Sequence, residues 1–163
     1  MSGRFVLRFV IDEHVAFASA VRIERSDSYR GESLRARNPG GWEPVEWDEL
    51  LDGRLGPWTM AFDGERVVAI CHTPRAMTAQ SAECGVWTDP AFRGRGYAAA
   101  VTAAWAALLR PTGRELVYSC DETNASSRRV AERLGLRLVA RTWEEERSDG
   151  DSKLHPLCSL RQP

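Results

Sequence analysis

The sequence predicts an α/β domain in which helices flank a mixed, mostly antiparallel central sheet. Three observations support this class: a meander of β-rich runs in mid-chain, an alanine-rich helix after it, and a second strand–helix unit followed by further β-rich runs. The chain has 163 residues, enough to bury a core, and neither a composition break nor an internal repeat divides it. We therefore expect residues 1–163 to form a single domain.

The first fifty residues are the least informative part of the chain. Phe5–Ile11 predicts a strand, Glu13–Ile23 fits either a helix or a strand, and Glu24–Gly41 is too polar to assign. Pro44–Leu51 predicts a short helix, because proline is favoured in a first helical turn and Gly53 follows its end.

The meander comes next. Trp58–Phe62 and Arg66–Thr73 are β-rich and are separated by Asp63-Gly64, which is a strong hairpin signal. A third run, Ala79–Thr88, predicts one further strand that completes the meander. We expect this strand to lead directly into a glycine-containing turn.

That turn, Arg93–Ala98, is followed by apolar residues at helical spacing over Tyr97–Leu109. Its two glycines leave no side chain between backbone N–H groups and a ligand, and the first helical turn offers unpaired donors at the positive end of the helix dipole. A phosphate fits such a turn, although an ordinary structural turn is the alternative. The third glycine of the dinucleotide fingerprint and the Gly-Lys-Ser/Thr of the P-loop are both missing.

A second strand–helix unit follows. Arg114–Cys120 predicts a strand, Asn124 suits the N-cap of a short helix, and Gly135 suits its C-cap. Beyond that helix, Arg137–Trp143 and Lys153–Leu160 predict a final strand pair joined by a charged loop.

Composition excludes several classes of protein. There are 22 basic and 23 acidic residues, a net charge of −1, so no basic field favours nucleic acid. The N-terminus does not resemble a signal peptide, and no run of eighteen apolar residues predicts a membrane span, so we expect a cytoplasmic protein. The cysteines and histidines lack metal-ligand spacing, which predicts free buried thiols and no metal; they are Cys71, Cys84, Cys120, Cys158, His14, His72 and His155.

Two motifs carry a resemblance to a known family. Val86–Ala98 closely resembles the acyl-CoA pyrophosphate loop of the GNAT (general-control-type) N-acetyltransferase superfamily, whose pattern is Arg/Gln-x-x-Gly-x-Gly/Ala. Tyr118–Leu136 is similar to a later GNAT motif, in which an asparagine opens a short helix that stops at a glycine. The resemblance spans Trp58–Trp143 and implies the GNAT fold, in which the strands before the two motifs splay apart to admit the cofactor.

The resemblance implies acetyl-CoA as co-substrate and a set of cofactor-binding residues. Pyrophosphate would be bound by the loop, the pantetheine arm by the preceding strand, and further contacts would come from the start of the later helix. The expected residues are Val86, Trp87, Thr88, Arg93, Gly94, Arg95, Gly96, Tyr97, Ala98, Asn124 and Ser127. A solvated Arg93 and a purely capping Asn124 are the alternatives, and for Arg128 and Arg129 a solvated surface role is favoured.

Catalytic residues are less well defined by the sequence. Glu83 is the candidate general base, because it lies three residues before Val86 in an apolar run, and Asp121 and Glu122 are competitors. Many GNAT enzymes carry a tyrosine acid where this chain has Ala131, so Cys120 is our substitute candidate, beside Tyr118 and Ser119. A thiol of pKa about 8.5 needs less acid assistance than an amine of pKa about 10.4.

The leading hypothesis is an acetyl-CoA-dependent N-acetyltransferase that acts on a primary amine of a small molecule or protein. An acyl-CoA-binding sensor or partner module without catalysis is the alternative, and a glycine turn with a structural role alone is the third. The acceptor would be bound by the irregular segments 26–42 and 144–152, which contain no recognisable code. Relatives often dimerise, so a homodimer is left open.

Overall fold

The computed structural model describes residues 2–29, 32–73 and 77–146. Strands and helices alternate along this part of the chain as an α/β fold. The strands are β1 (Gly3–Val10), β2 (Arg22–Arg25), β3 (Thr59–Asp63), β4 (Arg66–His72), β5 (Ser81–Glu83), β6 (Gly85–Thr88), β7 (Glu115–Asp121) and β8 (Arg137–Glu145). The helices are α1 (Pro44–Leu51), α2 (Tyr97–Leu109) and α3 (Ala125–Leu134), with short 3₁₀ helices at Glu32–Arg37, Pro90–Phe92 and Arg110–Thr112.

The described strands form two four-stranded sheets. One has the order β2-β3-β4-β6 and the other the order β5-β7-β1-β8. Every pairing is antiparallel except that of β5 with β7. The mixed, mostly antiparallel sheet architecture with flanking helices is therefore confirmed. The first strand lies in the middle of the second sheet, between β7 and β8, a position that no local pattern predicts.

The helices begin and end where their capping residues predict. Gly96 precedes α2 with a left-handed φ of 85°, and Gly135 ends α3 with a φ of 64°, a conformation that favours glycine. At the start of α3 the Asn124 side chain accepts a hydrogen bond from the Ser127 N–H at 3.1 Å. Local capping residues thus set the start of α2, which follows the glycine turn, and both ends of α3, which belongs to the later motif.

The expectation of one strand over Ala79–Thr88 is wrong. The run is divided at Cys84: β5 pairs in parallel with β7 in one sheet, whereas β6 pairs antiparallel with β4 in the other. All of the run favours a β-strand, but its two halves pair with different strands. Strand pairing depends on residues that are far away in the sequence, so the run itself does not predict the division. Of the ambiguous run Glu13–Ile23, only Arg22 onward is regular, as part of β2. Lys153–Leu160 lies outside the described residues.

Two apolar clusters cover different faces of the sheets. The larger packs α2 and α3 against β1, β4 and β7, with the indole of Trp105 fully buried in it. The smaller packs α1 and its preceding segment against β3 and β4, with Trp47 and Met60 at its centre. Strand alternation places a second set of side chains on the side of this sheet away from α2 and α3, among them Glu83 of β5, Ser119 of β7 and Arg8 of β1.

Candidate functional site

The glycine turn between β6 and α2 forms an open cradle of backbone donors. Gly94 and Gly96 have φ of 76° and 85°, and no side chain caps the first turn of α2. Helical bonding begins only where the Ala100 N–H donates to the Gly96 carbonyl at 3.0 Å. The N–H groups of Tyr97 and Ala98 therefore point out of the helix at the positive end of its dipole, where an anion binds favourably.

Asp89 anchors the beginning of this turn. Its carboxylate accepts a hydrogen bond from the Ala91 N–H at 2.9 Å and another from the Arg66 guanidinium at 2.6 Å. Burial raises the pKa of Asp89, but these two bonds outweigh burial and hold the pKa below its usual value. The carboxylate is therefore charged at neutral pH and fixes the chain that leads into the cradle.

Beside the cradle lies a cleft of about 80 Å³, between the turn and α3. Three arginines line it, Arg93, Arg129 and Arg133, and none of them forms an ion pair within the described residues. The Nε of Arg93 is buried without a hydrogen-bond partner in that part of the chain. Three arginines without ion pairs beside open backbone donors are a chemical arrangement that suits a polyanion such as a pyrophosphate.

Most of the predicted cofactor residues lie at this cleft. Thr88, Arg93, Gly94, Gly96, Tyr97 and Ala98 line it. Arg95 instead lies over the Phe92 ring, with its guanidinium 5.2 Å from the ring centroid. Ser127 is buried and does not line the cleft, whereas the neighbouring Ser126 does.

Two arginines of α3 line the cleft from its surface. Arg129 is exposed, as expected, and it lines the cleft together with Arg133, which is also exposed and for which no role was predicted. The pair is four residues apart and therefore shares one face of the helix, a spacing that was visible in the sequence. Arg128 behaves as expected for a surface residue, because its guanidinium donates to the Glu122 carbonyl at 3.3 Å.

Next to the cleft, β6 and β7 diverge and leave a gap with backbone groups along both sides. The Asp89 N–H donates to the Val68 carbonyl at 2.8 Å, and an antiparallel strand alternates the direction of its backbone groups. Trp87 therefore turns its N–H and C=O toward β4, whereas Val86 and Thr88 turn theirs into the gap. One side of the gap is thus an unpaired strand edge.

The other side of the gap is the end of β7. The Cys84 N–H donates to the Val117 carbonyl at 3.0 Å, and beyond this bond the two sheets separate. Alternation along β7 then turns the backbone groups of Ser119 into the gap. An extended, amide-containing chain fits between these edges as an added strand.

The candidate acid and base groups have different environments. Glu83 is half-buried on β5, on the side of the sheet away from α2 and α3, and has no hydrogen bond or ion pair within the described residues. Cys120 faces the core beneath α3, where burial raises the pKa of its thiol to about 11. A thiol with this pKa is a weaker acid than an ordinary thiol of pKa about 8.5, so proton transfer from it to a CoA thiolate is unfavourable. Glu83 is the better placed of the two candidates.

The competing groups are occupied by other contacts. The Asp121 and Glu122 carboxylates have lowered pKa values, chiefly because Thr123 and Arg141 donate hydrogen bonds to them, so neither is a good base. Burial raises the pKa of Tyr118, whose hydroxyl donates to the Ser127 carbonyl at 3.0 Å. Ala131 is buried and supplies no proton donor from α3.

Two features are absent from the described residues: a metal-binding cluster and a membrane-spanning helix. Residues 2–29, 32–73 and 77–146 contain no group of three or more His, Cys, Asp or Glu side chains arranged to bind a metal ion. No helix in the same ranges is long and apolar enough to cross a membrane.

Solved structures with this fold are numerous, and three illustrate the similarity. A putative acetyltransferase of the GNAT family from Novosphingobium aromaticivorans is 23% identical, with a TM-score of 0.64 over 88% of this chain and 63% of its own. A GNAT-family acetyltransferase from Colwellia psychrerythraea is 13% identical, with a TM-score of 0.66 over 85% of this chain and 54% of its own. A GCN5-related N-acetyltransferase from Sphaerobacter thermophilus is 17% identical, with a TM-score of 0.64 over 88% and 50%.

The sequence comparisons agree with this similarity of fold. This chain spans between half and two thirds of the three solved proteins. No curated protein matches the sequence. The family model described as an acetyltransferase (GNAT) domain matches residues 4–137, which include the cradle, the cleft and the gap between the strands. The chain therefore belongs to the GNAT family of acyltransferases.

Proposed function

We propose that the protein transfers an acetyl group from acetyl-CoA to a primary amine of a small molecule or a protein. One observation carries the proposal: the gap with unpaired backbone groups opens directly beside the arginine-lined cleft. A CoA thioester needs both features, because its pyrophosphate is a polyanion and its pantetheine arm is an extended chain of amides. Family membership supports acyl transfer in general, and these two features favour acetyl-CoA as the donor.

The chain's own residues would divide the binding of the cofactor. Backbone N–H groups at Tyr97 and Ala98 bind the pyrophosphate, and the cleft arginines neutralise its charge. Val86 and Thr88 pair with the pantetheine arm, which brings the thioester carbonyl to the point where β6 and β7 part. A backbone N–H at Val86 is placed to stabilise the negative charge that develops on the carbonyl oxygen.

The acceptor amine then approaches from the side of β5, β7 and β1 that lies away from α2 and α3, which we call the acceptor face. Its nitrogen attacks the thioester carbon as a C–N bond forms and the C–S bond breaks, and CoA leaves as a thiolate. A primary ammonium group has a pKa near 10.4 and must first lose a proton, which Glu83 accepts directly or through water. After the attack the nitrogen loses its second proton, which passes through water to the leaving thiolate. The CoA thiol has a pKa of about 8.5, so the absence of a donor at Ala131 is tolerated.

The test is a thiol-release assay with acetyl-CoA and a panel of primary amines. We expect stoichiometric release of CoA and formation of the N-acetyl product, detected by mass spectrometry, with at least one amine class. Thiol release without an acetylated amine would indicate hydrolysis only and would contradict amine transfer. Absence of acetyl-CoA binding would contradict the whole proposal.

A second function is favoured by one specific observation. The buried Ala131, the raised pKa of Cys120 and the engaged hydroxyl of Tyr118 leave no evident acid at the gap. A domain that binds acyl-CoA without turnover would tolerate this arrangement equally well. Tight binding of acetyl-CoA, combined with no product from any amine in the panel, would select this second function.

A further inference from the structure

Three polar side chains on the acceptor face lie around the end of the gap and share one property. Arg8 on β1, Glu83 on β5 and Ser119 on β7 are each half-buried, and none forms a hydrogen bond or an ion pair within the described residues. Half-buried polar groups are normally paired, because desolvation of an unpaired charge is costly. An unpaired cation and an unpaired anion at the same opening therefore require an explanation.

Strand register places the three side chains on one face. Arg8 lies directly opposite Ser119, and Glu83 lies opposite Val117, two residues earlier on β7. Leu7 and Cys120, the neighbours of Arg8 and Ser119, point into the core beneath α3, so Arg8 and Ser119 point the other way. The three groups thus surround the place where β6 and β7 part.

Other charged groups nearby are already paired, which makes the contrast sharper. Arg4 lies on the same strand and face as Arg8, and its guanidinium is 3.9 Å from Asp121 and 3.8 Å from Glu144. Glu122 is held by two hydrogen bonds from Arg141, at 2.8 and 2.9 Å. Arg4, the charged neighbour of Arg8 on the same strand and face, therefore has partners where Arg8 has none.

We propose that Arg8 binds a carboxylate of the acceptor, so that the acceptor is an amine that carries a carboxylate a few bonds from its nitrogen, as an amino acid does. The inference rests on the proposed acetyl transfer. Two strand spacings and a two-residue offset put the Cα atoms of Arg8 and Glu83 about 12 Å apart. A small molecule with its ammonium group at Glu83 and its carboxylate at Arg8 fits that span, and it would cross β7 at Val117 and Ser119.

The chemistry favours this acceptor class over a simple amine. An amine without an anion would leave the guanidinium of Arg8 desolvated and unpaired when it fills the opening. A carboxylate accepts two parallel hydrogen bonds from a guanidinium, which fixes the orientation of the amine as well as its affinity. Arg8 is thus a specificity-determining residue that positions the nucleophile, and it takes no part in proton transfer.

The experiment compares each acid with its decarboxylated amine. Wild-type protein, Arg8→Ala, Arg8→Lys and the control Arg4→Ala are assayed for CoA release with phenylalanine and phenethylamine, and with lysine and cadaverine. We expect wild type to prefer an acid, and Arg8→Ala to raise the KM for that acid about 10- to 100-fold, with little change in kcat. Arg8→Lys should recover part of the loss, and Arg4→Ala should resemble wild type.

A second measurement does not depend on turnover. Calorimetric titration of the same acid into the CoA-bound protein should show binding to wild type and Arg4→Ala, and about 10- to 100-fold weaker binding to Arg8→Ala. Acetyl-CoA affinity and melting temperature should be the same in all variants, which separates a binding defect from misfolding.

The outcomes separate this inference from the proposed function. Release of CoA with decarboxylated amines as efficiently as with acids would overturn the carboxylate site and leave acetyl transfer standing. An equal effect of Arg8→Ala on acids and amines, or no binding of any acid to the CoA-bound protein, would also overturn it. Failure of acetyl-CoA to bind at all would remove the proposed function, and this inference with it.

Discussion

The cradle at the glycine turn consists of consecutive residues, whereas the proposed acceptor side is assembled from strands that are far apart in the sequence. The cradle is one turn and the start of one helix, and its donors are backbone N–H groups that any sequence of the right shape supplies. The acceptor face brings together Arg8, Glu83 and Ser119 from three strands. The first kind of site is readable as a motif, and the second depends on strand order.

This difference has a functional consequence. A cofactor shared by a whole family is bound largely through glycine-containing turns and their backbone groups. Such binding tolerates differences in side chains between members of the family. In our proposal the acceptor is selected by side chains, on strands whose pairing is set by long-range contacts. Substitutions on the two sides should therefore have separable effects, on cofactor affinity in one case and on turnover or acceptor choice in the other.

The largest effect that separates the two sides is expected for Glu83→Gln. Loss of a general base typically lowers kcat about 10²- to 10⁴-fold, while the affinity for acetyl-CoA should not change, because Glu83 lies outside the cleft. Steady-state kinetics and calorimetry on the same preparation measure both quantities. Glu115→Gln is the matched control, because Glu115 is an exposed carboxylate at the start of β7, whereas the gap lies at its end. A kcat within about twofold of wild type would exclude Glu83 as the base.

On the cofactor side, Arg129→Ala and Arg133→Ala should each weaken CoA binding by about 10-fold or more, without a change in acceptor preference. Removal of a cation from a polyanion site should also reduce the dependence of affinity on salt. Titration at two ionic strengths tests both statements. Arg128→Ala is the control on the same helix, because Arg128 contacts the Glu122 carbonyl instead of the cleft. Equal effects of all three substitutions would argue against a role specific to the cleft.

A smaller effect is expected at the anchor of the turn. The pKa of Asp89 is lowered in the folded protein, so its contribution to stability is complete above its unfolded value of 3.8 and is lost as the pH falls through the still lower folded value. Asp89→Asn should therefore cost about 1–2 kcal/mol at neutral pH and flatten the acid limb of the stability curve. Urea unfolding at pH 7 and at a pH well below 3.8 checks this sign. A variant that keeps the wild-type acid limb would show that other carboxylates control it.

Much of the fold was predictable because its signals are local. Pro44, Gly96, Asn124 and Gly135 fixed helix ends, and Asp63-Gly64 fixed a hairpin that the structure contains between β3 and β4. The division of Ala79–Thr88 between two sheets was not predictable, because β propensity is uniform across Cys84 and the change of partner arises from β7. The central position of β1 has the same origin.

The site divides in the same way. The turn and the first residues of α2 were identified from a motif, and most of them line the cleft. Arg133 and Ser126 were not identified, although the four-residue spacing of Arg129 and Arg133 indicated a shared helix face. Arg8 was not identified either, since only the order β5-β7-β1 brings it to the gap.

The most direct test of the account is calorimetric titration of acetyl-CoA into wild type, Gly96→Asp and the control Gly113→Asp. Gly113 has a similar left-handed φ of 73° and open space around it, so both variants share the backbone strain, but only Gly96→Asp places a carboxylate at the cradle. The account predicts binding to wild type and Gly113→Asp, and binding weakened about 100-fold or more in Gly96→Asp. No binding by folded wild type, or equal affinity in all three proteins, would contradict it.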